Sequence, residues 1–255
     1  MGLGRGGSGV RGIGAALLSL AGFLALWKVV TVVGGYPDFI LPAPEVVAER
    51  GVRAVGSGVL WEHTAATLLE VVLGFAVGAA AALVAGIALA KSVLIERVLS
   101  PYIVAAQAVP ILALAPLLDI WFGGGLLARV AICALIVFFP IAIATMVGIR
   151  SADPLLAEML RSLGASAAQR TTMLDIPSAL PVIFGGLRVG VTLAVIGAVV
   201  AEWAGASTGL GVLINIANQG LFDTPLMFVA LATLAAIGLA FYGLVVLAER
   251  RLVSH

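Results

Sequence analysis

The chain has 255 residues, of which 62% are hydrophobic and only 11% charged. Soluble domains carry roughly 25% charged residues, so this composition excludes a surface that meets water all round and defines an integral membrane protein. A formal net charge of +1 excludes electrostatic nucleic-acid binding, and the single cysteine, Cys133, set in an apolar run, excludes a disulfide and a thiolate metal site.

In chain order, Arg5 and Arg11 precede an apolar stretch, the opening pattern of a signal peptide. No small-x-small cleavage site follows Trp27, and apolar character resumes past Lys28, so Ile13–Val33 reads as a retained first span with Lys28 snorkelling to the nearer interface. Ala65–Ala90, Pro101–Phe122, Leu126–Ile149, Ala179–Ala201 and Met227–Ala248 also reach the ~20 apolar residues that a span needs, which gives an all-α protein of six transmembrane helices. Before the second span, the Pro- and Gly-rich GGYPDFILPAPE leads into a short interfacial helix over Val46–Val55. The second span is crowded with Gly and Ala, as close helix packing in lipid requires. After the fifth span, Gly205–Thr224 is glycine-rich and then amphipathic, which predicts a partial helix dipping into the protein.

The one long polar interruption lies between spans four and five. Asp153-Pro154 is an N-cap followed by proline at the first helical position. Leu155, Leu156, Met159, Leu160 and Leu163 recur on one face, with Glu158 and Arg161 on the other, and Gly164 supplies the stop. Ser166 and Gln169 form a capping-box pattern for a second short helix, which is expected to break before Pro177. Two short helices hinged at a glycine form a docking element.

Counting Lys and Arg in the connections gives nine on the side of both termini and of this insert (Arg5, Arg11, Lys91, Arg97, Arg150, Arg161, Arg170, Arg250, Arg251). The other side has three (Arg50, Arg53, Arg129). The excess places both termini and the insert in the cytoplasm.

Two catalytic patterns are incomplete. The string from Ala85 to Ser92 has alanine at both glycine positions of a phosphate-binding loop, so its backbone cannot wrap a phosphate. Gly205-Ala-Ser207-Thr-Gly209 matches the G-x-S-x-G nucleophile pattern, but His63 and His255 both stand far off in the chain order; an intramembrane serine protease using Ser207 is the alternative of another class. Ionisable residues within spans are expensive and mark pathways. Arg188, Glu202 and Glu70 are therefore pathway candidates, against a plainer reading at the membrane interfaces, and Asn215 could line an outer vestibule or the wet face of a surface helix. Asp119 and Arg129, flanking the Gly123–Gly125 turn, are expected at the interface or paired with each other.

The insert resembles the E-A-A-x3-G-x9-I-x-L-P loop of permease subunits of bacterial ATP-binding-cassette importers. Glu158, Gly164, Leu174, Ile176 and Pro177 hold its places with the spacing intact, while Met159 and Leu160 replace the two alanines. FILPAPEVV, ILALAPLLDIWFGGG, SALPVIFGGLRVG and AEWAGASTGLGVLI resemble the branch that imports nitrate, sulfonates and taurine. TLAVIGAVVAEW and ANQGLFDTPLMFVAL are more similar to its sub-branch for thiamin-precursor pyrimidines and riboflavin. Relatives often have a basic residue where Glu70 stands, a departure that disfavours an anionic cargo if the position faces the pathway.

The resemblance implies a multi-pass permease of the type I kind in the bacterial inner membrane. It is not an enzyme and holds no cofactor or metal of its own, since ATP and Mg are bound by a partner ATPase. It implies a pair of identical permease copies, cytoplasmic ATPase subunits gripping the insert, and an extracytoplasmic substrate-binding protein. The expected organisation is residues 1–60 (N-terminus, first span, outer interfacial segment), a five-span core over 61–251 with its coupling insert at 152–177, and a tail at 252–255.

Overall fold

The computed structural model describes residues 7–220 and 222–253; Arg5, the Arg11 side chain and His255 lie outside the described residues. The described chain is helical: α1 (Gly7–Gly34), α2 (Pro44–Gly56), α3 (Val59–Lys91), α4 (Val93–Ala108), α5 (Ile111–Trp121), α6 (Gly125–Arg150), α7 (Pro154–Ser162), α8 (Ala167–Arg170), α9 (Ile176–Gly205), α10 (Leu210–Asn215) and α11 (Thr224–Leu252). Among the described residues, five stretches are long and apolar enough to cross a membrane, or six if the bent α4–α5 pair is counted as one span.

That pair corrects the expectation of one straight span over Pro101–Phe122. α4 and α5 meet at 100°. The cause is Pro110, which has no N–H to continue the ladder and forces Val109 out of the helical region to φ −78°, ψ 124°.

The chain divides into two compact units. One comprises residues 1–60 and 214–230. There Trp27 of α1 stacks on Phe228 with ring centroids 5.4 Å apart, Lys28 pairs with Glu45 rather than reaching freely for the interface, and Arg50 Nε lies 2.7 Å from Asp223 Oδ2. The Thr224 hydroxyl donates to the Phe39 carbonyl at 2.8 Å.

The other unit, residues 61–213 and 231–255, holds the core. The small residues of α3 lie against α6: a Cβ on Gly78 would stand 2.6 Å from the Ala134 carbonyl oxygen, and one on Gly86 would stand 2.5 Å from Thr145 Cβ. On α9, Gly186 and Gly190 meet α6 as closely, and Gly197 nearly so. Ile149, Ala179 and Ile183 join the α6–α9 seam at one end, with Leu83 and Ile87 of α3 packed on them. Ala115, Ile132 and Ala201 join α5, α6 and α9 at the other.

Gly78→Val should therefore overpack the α3–α6 seam and cost about 1–3 kcal/mol. A lowered midpoint of thermal unfolding in detergent, with Gly22→Val on open surface as the control, measures it.

Candidate functional site

The insert is built from local signals. Asp153 Oδ1 accepts from the Leu155 N–H at 2.8 Å, with Pro154 at the first helical position, which caps α7. Gly164 sits at φ +79°, the left-handed conformation that ends α7. The Ala165 N–H closes the turn onto the Leu160 carbonyl at 2.9 Å. Ser166 then caps α8 reciprocally: its hydroxyl accepts from the Gln169 N–H at 3.2 Å, and its own N–H donates to Gln169 Oε1 at 2.8 Å.

The expected break before Pro177 does not occur. Thr171–Asp175 forms a π turn, and α8 runs through it into α9, so that Ala167–Gly205 makes one 39-residue stretch. Pro177 falls in the first turn of α9, where the N–H it lacks is least needed.

The motif residues divide into two sets. α7 has no buried residue, and Leu155, Leu156, Met159 and Leu163 stand 74%, 44%, 52% and 74% exposed, with Leu160 half-buried and Glu158 exposed. Leu174 is buried and Ile176 packs on the Ile149–Ala179–Ile183 cluster, so these two anchor the insert to the bundle. Lys91 Nζ, at the end of α3, lies 2.5 Å from Asp175 Oδ2, while Arg150 pairs with Glu96 at 2.7 Å and donates to the Leu89 carbonyl at 2.9 Å.

At the opposite end of the unit lies a buried polar cluster. His63, Thr67 and Glu70 share the inward face of α3, in phase with Gly74 and Gly78. Glu202 of α9, 2% exposed, accepts from the Thr67 hydroxyl at 2.5 Å and from the Gly211 N–H. The Leu210 N–H donates to Thr67 Oγ1 at 2.8 Å, and His63 Nδ1 lies 3.0 Å from Gly209 N and 2.7 Å from its carbonyl oxygen. Arg129 Nε lies 2.5 Å from Glu70 Oε1. That contact is ionic rather than an aligned hydrogen bond, since neither Glu70 oxygen has a hydrogen-bond partner among the described residues.

This geometry relocates several sequence expectations. Arg129 pairs with Glu70, not with Asp119, whose carboxylate instead abuts Gly205. Glu70 and Glu202 are inside the bundle rather than at an interface, so the inference from Glu70 to cargo charge loses its premise. Arg188 pairs with Glu249 in the last turns of α11, beside a cleft of about 430 Å³ that Tyr242 and Arg250 also line. Asn215 ends α10, whose amphipathic pattern does bury Leu210, Leu213 and Ile214. Ser207 is exposed; His63 comes close to its loop but is buried, with Nδ1 engaged by Gly209.

The helical bundle with a broken span and an interruption that turns apolar side chains outward defines the class: a multi-pass membrane transport protein. Residues 67–254 match the family described as binding-protein-dependent transport system inner membrane component, and the chain belongs to that family, as an inner-membrane permease of an ATP-binding-cassette importer. It is 49% identical over 230 residues to the riboflavin transport system permease protein RibX of Chloroflexus aurantiacus, covering 90% of this chain and 85% of that one. It is 32% identical over 216 residues to the formylaminopyrimidine transport permease protein ThiX of Halalkalibacterium halodurans, covering 85% of each. The fold is shared with a crystal structure of an amino acid ABC transporter with histidines, at a TM-score of 0.63 and 24% identity over 78% of this chain and 97% of that one.

Glu202→Ala would leave the Gly211 N–H without its acceptor and return the Thr67 hydroxyl to the His63 carbonyl alone, and the expected cost is about 1–3 kcal/mol. Thermal unfolding of purified protein reads it; Glu202→Gln, which keeps an acceptor, should lose less.

Proposed function

We propose that this permease carries a flavin or a thiamin-precursor pyrimidine inward across the membrane, coupled to a cytoplasmic ATPase through α7. The observation that carries the coupling is the exposed stripe of Leu155, Leu156, Met159 and Leu163 on a helix that buries nothing of its own. Large apolar side chains clustered on a water-facing helix mark a partner surface, and an amphipathic helix laid in a groove is the recurring way to cover one. The excess of Lys and Arg on the insert's side supports a cytoplasmic location, with both termini, where ATP is available.

Two copies of the chain form the pore in this reading, and a soluble receptor delivers cargo to the outer face. Nucleotide binding and hydrolysis occur on the ATPase, with its Mg, and this chain does no catalysis. Closure of the ATPase pair moves the two inserts together. Leu174, Ile176 and the Lys91–Asp175 pair pass that movement to the bundle, which alternates between inward- and outward-open states. The cargo assignment rests on the similarity to RibX and ThiX, and sulfonates, taurine and nitrate are the alternative cargo of the branch that the sequence resembles.

Gly164→Pro and Glu158→Arg are each expected to leave membrane insertion intact and to lower ATP-dependent riboflavin uptake at least tenfold. The measurement is uptake into vesicles reconstituted with permease, ATPase and receptor; uptake retained in both variants rejects α7 as the coupling element.

A further inference from the structure

A cleft of about 660 Å³ opens at the break between α4 and α5, within the ~300–1,000 Å³ of ordinary small-molecule sites. Gln107, Pro110 and Leu114 line it from the broken pair, Ile136 and Phe139 from α6, and Leu193 from α9. No lining residue is charged. The break falls among apolar residues on both sides, twelve positions after Arg97 and nine before Asp119, so it belongs to the membrane's apolar depth.

Irregular backbone at that depth cannot face lipid. The end of α4 and the start of α5 leave carbonyl and N–H groups without intrahelical partners, and hydrocarbon offers none. Gln107 adds to the demand. It is exposed, its amide nitrogen donates to the Ile103 carbonyl at 3.3 Å, and its side-chain oxygen has no partner among the described residues. A broken helix is tolerated where protein buries it or where it lines a water-filled path; the exposed Gln107 amide beside an open cleft favours the path, and broken helices are where many transporters seat their cargo.

We infer that this cleft is the cargo's seat along the translocation path, and that it takes an uncharged planar heteroaromatic ring. The reading rests on the proposed function and adds the site. The Phe139 ring offers a flat apolar face, and the Gln107 carbonyl accepts one ring N–H, while an anionic sulfonate or nitrate would find no cation there. This moves the pathway to the helix break from Asn215 and from Arg188, Glu202 and Glu70, whose ion pairs and burial serve the bundle.

Two measurements on the assembled transporter in vesicles test it. Gln107→Cys should react with a membrane-impermeant thiol reagent at least tenfold faster than the native Cys133, which is buried and serves as the internal control. Labelling as slow as that of Cys133 would show the break sealed by lipid or protein and overturn the inference. In uptake assays, Gln107→Ala and Phe139→Ala should each lower riboflavin transport at least fivefold, and Gln107→Arg should abolish it. Wild-type uptake that none of the three alters would overturn the seat even if the position is wet. A wild-type complex that imports neither riboflavin nor formylaminopyrimidine would sink the cargo assignment and the ring specificity with it, while the labelling still decides whether the break lines the path.

Discussion

In hydrocarbon two apolar helices gain nothing by hiding from water, so α3, α6 and α9 must be held by contact itself. The glycines supply that contact. Gly78 and Gly86 of α3 and Gly190 of α9 let backbone and short side chains of α6 come to distances a Cβ would forbid, which multiplies dispersion contacts and brings polar backbone within reach. Every other feature of the unit is placed by that seam. α5 joins it through Ala115, the insert is moored to it through Leu174 and Ile176, and the Thr67–Glu202 cluster sits at its far end.

The cluster shows how the same bundle accommodates charge. Glu202 is held by hydrogen bonds rather than by a salt bridge: a hydroxyl from α3 and the N–H of Gly211, in the segment that follows α9, converge on it. His63 and Thr67 bind the same segment at Gly209 and Leu210, so a loop of small residues with little apolar surface is fastened by four polar contacts. Glu70 relies on Arg129 instead. A pair of that kind adds little net stability, because what the two charges gain from each other is offset by the water that the buried Glu70 has lost.

Much of this was readable in the residues. The apolar runs, the Asp153-Pro154 start, the turn at Gly164 and the Ser166–Gln169 box are local signals, and each acts locally in the fold. Pro101, Pro110 and Pro116 present similar local signals, yet only Pro110 breaks the helix, because α5 must turn there to bring Ala115 and Leu118 onto α6 and α9. The π turn that carries the chain past Pro177 is likewise a tertiary outcome. His63, Thr67 and Glu70 could have been found together: their spacing continues, without a phase change, the stripe of Gly74, Gly78 and Gly86. Their partners could not, since Arg129, Glu202 and Gly209–Gly211 are distant in the chain.

The uninterrupted run from Ala167 to Gly205 has a mechanical corollary. At roughly 1.5 Å per residue it is a beam ~58 Å long, with the Gly164 swivel just before one end and the Glu202 clasp near the other. Tilting such a beam by five degrees about its centre displaces each tip by roughly 2.5 Å in opposite directions. Any tilt of the run therefore moves the Gly164 turn and the clasped loop in opposite senses, with only the π turn at Thr171–Asp175 between them to give.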